Sequence, residues 1–216
     1  MSDPGFFITR FNILKNQLMR KYIVLFSLSG IFSCIIFLFW YKQWIYNLPT
    51  PIPSNYISVQ RGEHIDLAGK FQFDERPVFL HFFNPDCPCS RFNTAHFKLL
   101  LKEYGDKINF AVVVLTKDKS YSATSIADKF DFSVPVIMDS SLAKQCGVYS
   151  TPQAVLLDNN HCIYYRGNYN RTRYCTDKRT NYAQMAIQSL LSSADVPQFD
   201  QYALKAYGCS LPNCKK

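Results

Sequence analysis

Between Pro77 and Tyr104 the chain passes from one hydrophobic pattern to another across a single turn. Val78-Phe79-Leu80-His81-Phe82-Phe83 is a short, aromatic-rich apolar run that breaks at Asn84-Pro85-Asp86. A run of that length, bounded by turn residues, predicts a buried strand. Past Cys87-Pro88-Cys89, the residues Phe92, Phe97, Leu100 and Leu101 recur at helix-compatible spacings. The strand therefore hands two thiols to the first turn of a helix. Backbone N–H groups are unpaired there, and the helix dipole favours a negative sulfur.

The pattern continues as strands alternating with helices. Ile108 to Leu115 is a near-continuous β-branched run, which predicts a strand covered on both faces. Ser120 to Phe130 reads as a helix, Pro135 to Asp139 as a short strand, and Ser140 to Cys146 as a short helix ending at Gly147. Ala154 to Asp158 and Cys162 to Gly167 flank Asn159-Asn160 and predict a hairpin. Arg179 to Leu191 returns to helix. Ahead of the first strand, Tyr56 to Val59 predicts a short strand, and Gly62 to Leu67 a second strand or a turn. This order argues for an α/β sandwich around a mixed sheet.

The N-terminal part has a different pattern. Tyr22 to Tyr41 carries no charge between Lys21 and Lys42 and is apolar on every face, and about twenty such residues suffice to span a bilayer as a helix. No small-x-small cleavage site follows; the next residues are Lys42-Gln43-Trp44-Ile45-Tyr46. An uncleaved anchor is therefore expected, with Trp40, Tyr41, Trp44 and Tyr46 as an interfacial belt. Four basic residues precede the span and one closely follows it, which places the N-terminus in the cytoplasm. Residues 1–21, with apolar positions near helical spacing, read as a cytoplasmic tail or an interfacial helix. Residues 42–55, with alternating prolines, read as a semi-rigid linker, and residues 195–216 as a cysteine-containing tail.

Charge changes this picture little. The net charge is +8 over 216 residues. Five basic residues against Asp3 in residues 1–46 supply half of that excess, and 19 basic against 15 acidic residues in the remainder supply the other half. No basic motif interleaved with aromatics points to nucleic acid, and no histidine spacing points to a zinc finger. Arg166, Arg171, Arg173, Lys178 and Arg179 form a basic edge that would favour nearby thiolates or acidic partners.

Cysteine usage is more informative. Of eight cysteines, Cys34 lies inside the apolar span, leaving Cys87, Cys89, Cys146, Cys162, Cys175, Cys209 and Cys214. That density suits a compartment in which disulfides persist. Cys146 and Cys162 read as core residues, and Cys209 and Cys214 as a local disulfide or a link from the tail to the domain. For Cys87 and Cys89 a purely structural disulfide is the plainer alternative. Closing so small a loop, however, removes little unfolded-state entropy. A soft-metal site is the sharper rival, with Cys87, Cys89 and His81 or Cys175 as ligands to copper(I) or zinc.

Three segments together resemble the thioredoxin-like superfamily: Phe82-Phe83-Asn84-Pro85-Asp86-Cys87-Pro88-Cys89, Gly147-Val148-Tyr149-Ser150-Thr151-Pro152-Gln153-Ala154, and Gly167 after the last strand. With Gly69-Lys70 ahead of Pro77, the set is most similar to membrane-anchored extracytoplasmic thioredoxins of the cytochrome-maturation type. The resemblance covers about Tyr56 to Ser193. It implies a thioredoxin-like domain over residues 56–194 and thiol–disulfide exchange without a cofactor. It also implies a cis Pro152 against the cysteine pair, with Thr151 offering its backbone to an extended substrate. Cys87 would be the attacking thiolate and Cys89 the resolving thiol, joined as a Cys87–Cys89 disulfide when oxidised. Asp86 could cap the helix, and Cys175 could serve as a third redox cysteine.

One departure concerns the spacing: the family's usual pair has two intervening residues, and here Pro88 stands alone. A disulfide across one residue closes a small, strained ring, which makes an oxidising couple. The reading is a thiol–disulfide oxidoreductase in the cell (inner) membrane, its domain in the periplasm or outside, acting on extracytoplasmic thiol and disulfide proteins. A copper-binding chaperone of the same fold is the alternative. A thiol peroxidase ranks lower, because no threonine stands between Pro85 and Cys87.

Overall fold

The structure, a computed structural model, describes residues 4–194 and 197–211. The chain divides into two compact units, Met1–Ile45 and Tyr46–Lys216. A continuous helix, α1 (Pro4–Asn47), accounts for the first. Within it Leu18–Asn47 is long and apolar enough to cross a membrane, and its most apolar window has no buried residue. That stretch contains the expected span, with Trp40 and Trp44 stacked one turn apart.

The second unit is built on β1 (Val78–Phe83), the predicted buried strand. It lies at the centre of a five-stranded sheet between β2 (Asn109–Val114), which is parallel to it, and β5 (Gln153–Leu157), which is antiparallel. Outside these lie β3 (Val136–Ile137), parallel to β2, and β6 (Ile163–Gly167), antiparallel to β5. All six residues of β1 and all six of β2 are buried. Alternation along β1 therefore feeds two cores. Phe79 and Phe83 pack with Phe97 and Leu100 of α2 (Pro88–Tyr104), Ile126 of α3 (Ala123–Phe130) and Ala183, Ala186 and Ile187 of α5 (Tyr182–Leu191). Val78, Leu80 and Phe82 pack with Leu142 and Ala143 of α4 (Ser140–Gln145) and with Val59, Ile65 and Leu67. Helices thus cover both faces, and the fold is the thioredoxin-like sandwich that the motifs implied.

Several local expectations are corrected. Tyr56 to Val59 forms no strand; the Val59 carbonyl accepts from Arg166 Nη1 at 2.8 Å instead of from a neighbouring strand. Of the two alternatives for Gly62 to Leu67 the turn holds, with one isolated bridge, His64 to Cys162. The helix expected from Arg179 starts only at Tyr182, because a short 3-10 turn (Lys178–Thr180), capped by Asp177, precedes it. Cys146 is fully buried as expected, but Cys162 sits half-exposed near the Asn160 carbonyl.

Segments on either side of the predicted domain are built into it. Thr50, inside the 42–55 stretch, is buried, and its amide donates to the Ala206 carbonyl at 2.7 Å. Beyond residue 194, α6 (Gln201–Leu204) packs on β6, and β7 (Cys209–Ser210) pairs antiparallel with β4 (Ser150–Thr151). Asn168 fastens the tail through Nδ2, which donates to the Tyr202 carbonyl at 2.7 Å and the Lys205 carbonyl at 2.5 Å. Gly167 is required beneath it, since a Cβ there would lie 2.2 Å from the Ala203 carbonyl oxygen.

His81 is the buried polar residue of the central strand. Its ring stacks on Phe97, its Nδ1 lies 2.7 Å from the Tyr169 hydroxyl, and its Nε2 finds no partner among the described residues. Burial pushes its pKa from 6.5 down to about 3, so it stays neutral in the folded protein. The unfolded chain binds this proton near pH 6.5 and the folded chain only near pH 3. The stabilising contribution is therefore complete above pH 6.5 and is lost as pH falls toward 3, at up to about 1.4 kcal/mol per pH unit. Denaturant titrations at pH 7 and pH 4.5 should show a smaller acid loss for His81→Asn than for the unaltered protein. Equal losses would remove His81 as the cause.

Candidate functional site

The end of β1 leads directly into the site. Asn84 shapes the turn: its carbonyl accepts from the Cys87 amide at 3.1 Å, and its Oδ1 accepts from the Asp86 amide at 2.9 Å. The Asn84 amide in turn donates to Ser90 Oγ at 3.3 Å, which ties the turn to the helix. Cys87 is the N-cap of α2, extended at φ −84° and ψ 117°, and Pro88 follows at the first helical position. Proline costs nothing there, because that N–H has no helical acceptor. Asp86 does not cap the helix as expected: its carboxylate turns outward to accept from the Thr116 and Tyr121 hydroxyls, both at 3.2 Å.

Cys87 and Cys89 are both buried. Cys87 Sγ lies 3.6 Å from the carbonyl oxygen of Thr151, and the Thr151–Pro152 bond is cis. The turn after β1 and the turn before β5 therefore meet across the cysteine pair, as the resemblance implied.

A third sulfur completes the cluster. Cys209 of β7 lies opposite Thr151 in the β4–β7 pairing, and its Sγ and those of Cys87 and Cys89 all lie within 4.8 Å of one another. The three form a small apolar cluster with Tyr46 packed against it. Cys89 is held in its thiol form by hydrogen bonding to Cys209 and then to Cys87, with burial adding in the same direction. Arg173 lies 4.4 Å above the Tyr46 ring and is the member of the basic edge that reaches this neighbourhood. Of the others, Arg166 is occupied by the Val59 and Cys146 carbonyls and Arg171 lies over Tyr202.

Cys175 lies outside the three-sulfur cluster. It has φ 54°, its Sγ accepts from Asn93 Nδ2 at 3.0 Å, and burial raises its pKa to about 11. Of the metal ligands proposed from sequence, His81 is engaged by Tyr169 and Cys175 by Asn93. The soft-ligand group in the structure is instead Cys87, Cys89 and Cys209. Cys214 lies outside the described residues, and so does the expected Cys209–Cys214 pairing. Sequence reasoning set Cys209 aside as a tail cysteine; only strand pairing brings it beside residues more than a hundred positions earlier.

Residues 58–212, more than half of the chain, match the family model described as "Domain of unknown function (DUF6436)". The chain belongs to the DUF6436 family. No curated protein matches it. Among solved structures, a hypothetical protein from Sinorhizobium meliloti 1021 is 16% identical and covers 73% of this chain and 97% of its own, with a TM-score of 0.58. An uncharacterized conserved protein from Geobacillus kaustophilus is 17% identical over 58% of this chain and 72% of its own, at 0.50. A thioredoxin-like protein solved in the oxidized form is 15% identical over 68% and 95%, at 0.45. At these identities the likeness concerns the fold of the DUF6436 domain.

The Cys175 environment gives a direct check. With a pKa of about 11, about one thiol in a thousand is ionised at pH 8. Timed iodoacetamide labelling with peptide mass mapping should show its rate rising about tenfold per pH unit from pH 7 to pH 10. A plateau near pH 8.5 would contradict the buried, Asn93-bonded thiol.

Proposed function

We propose that this DUF6436 protein is a membrane-anchored thiol–disulfide oxidoreductase that exchanges disulfides with extracytoplasmic proteins. The carrying observation is the placement of Cys87: it caps the N-terminus of α2, between Cys89 and the Thr151 carbonyl next to the cis Pro152. Helix N-termini offer unpaired amides and a favourable dipole to a thiolate. The apolar stretch Leu18–Asn47 supports a single-pass anchor, and the excess of basic residues ahead of it supports a cytoplasmic N-terminus.

In the proposed reaction the Cys87 thiolate attacks one sulfur of a partner disulfide. A Cys87–partner bond forms, and the partner's other sulfur leaves as a thiolate that takes up a proton. A second thiol of the site, Cys89 by chain adjacency, loses its proton and attacks Cys87 Sγ. The second partner sulfur is released, and the site is left as a disulfide. Two electrons pass from site to partner, and the reverse sequence oxidises a partner dithiol. The single residue between the cysteines favours the oxidising direction through ring strain.

The three-sulfur cluster supports a second reading as a copper(I) site, since thiolates are soft ligands. One pair of measurements separates the two. Cys87→Ser should reduce insulin-disulfide exchange by the purified full-length protein to the uncatalysed background. Protein purified under reducing conditions should carry no stoichiometric copper. Exchange unaffected by Cys87→Ser, or stoichiometric copper lost in that variant, would displace the redox reading.

A further inference from the structure

We propose that Cys209 is a third catalytic cysteine of this site, a tail-borne thiol that resolves mixed disulfides formed at Cys87. The proposal rests on the oxidoreductase reading and gives the site two resolving thiols, one on the helix and one on the tail strand.

The tail is held at the site by backbone and side-chain bonds on both sides of Cys209. Thr50 Oγ1 donates to the Gly208 carbonyl at 2.6 Å, and the Thr50 amide to the Ala206 carbonyl at 2.7 Å. The Leu211 amide donates to the Tyr149 carbonyl at 3.2 Å. Between these clamps, Cys209 faces Thr151 across the β4–β7 pair. Gly208 permits the close approach, since a Cβ there would lie 2.2 Å from the Thr151 carbonyl oxygen. The same Thr151 oxygen is 3.6 Å from Cys87 Sγ. Cys209 is 2% exposed, so its sulfur is spent on the cluster and not on solvent.

Geometry favours Cys209 beside Cys89. A Cys87–Cys89 bond would close a small, strained ring through Pro88. Cys209 arrives on a separate strand and carries no such ring constraint.

The step balances without an outside reagent beyond the partner disulfide. Cys87 in mixed disulfide with the partner is attacked by the Cys209 thiolate, whose proton passes to solvent. The Cys87–Cys209 bond forms, the Cys87–partner bond breaks, and the departing partner thiolate takes up a proton. The Cys87 and Cys209 dithiol is oxidised by two electrons and the partner disulfide is reduced to two thiols.

The test uses full-length protein in detergent, reduced and then exposed to oxidised glutathione, with intact-mass and disulfide-peptide mapping over time. Cys89→Ser should lose its glutathione adduct and yield a Cys87–Cys209 linked peptide. Cys89→Ser combined with Cys209→Ser should retain the adduct on Cys87. Thr50→Val, which loosens the tail clamp, should slow closure of the Cys87–Cys209 bond without slowing adduct formation. A Cys89→Ser protein that keeps its adduct as the double variant does, or that links Cys87 to Cys214 instead, overturns the role of Cys209 while leaving exchange at Cys87 standing. Failure of Cys87 to form an adduct in any variant overturns both.

Discussion

The two-sided burial of β1 is the constraint from which the rest of the second unit follows. With β2 parallel on one flank and β5 antiparallel on the other, every backbone bond of the strand is spent within the sheet, and both rows of side chains face packed helices or loops. Neither register nor direction can shift without exposing one of those rows. The chain must therefore leave the sheet at Phe83 in a defined place, and Asn84 converts the exit into a turn that starts a helix. The position of Cys87 is a consequence of this exit.

Placement of the antiparallel β5 next to β1 brings the cis Thr151–Pro152 turn to the same end of the sheet. That turn leaves β4 with an edge, and the structure fills it with β7. Edge strands have unpaired donors and acceptors that invite another strand, and here the occupant is the chain's own tail. The result is a cysteine site whose third wall is supplied from the far end of the domain. Thr50 braces that wall from the other end of the second unit, so both flanks of the predicted domain converge behind the cysteines.

The sulfur cluster is apolar for a physical reason. Tyr46 covers it, Asp86 points away toward Thr116 and Tyr121, and His81 is tied to Tyr169 on the neighbouring core. Three sulfurs thus share one another as hydrogen-bonding partners, which keeps the proton on Cys89. Arg173 contributes a cation at one remove through the Tyr46 ring. Cys175, which the sequence placed near the same edge, is instead kept neutral by burial, with Asn93 donating to its sulfur.

Much of this was legible in the residues alone. Strands and helices announced themselves wherever apolar periodicity was strong: Val78 to Phe83 matches β1 residue for residue, and Asn109–Val114, Ser140–Gln145 and the β5–β6 hairpin fall within a residue or two of expectation. The turn that delivers Cys87, with proline at the first helical position, was likewise a local property and needed only neighbouring residues. Tyr56 to Val59 misled because Val59 alone is buried, by packing into the core without strand bonding, while Ile57 stays exposed. The start of α5 shifted because Asp177 caps a tighter turn first. Tail and linker read as appendages since short polar and proline-rich segments carry no period, yet Thr50, Asn168 and Gly208 bind them to the domain through a few long-range bonds and one close approach. By itself, then, the sequence determined the central strand, the Cys87-Pro88-Cys89 turn and the apolar span, all of which depend on near neighbours. The tertiary structure alone decided that Cys209 is the third sulfur, because that depends on an antiparallel pairing between segments nearly sixty residues apart, and nothing in either segment names the other.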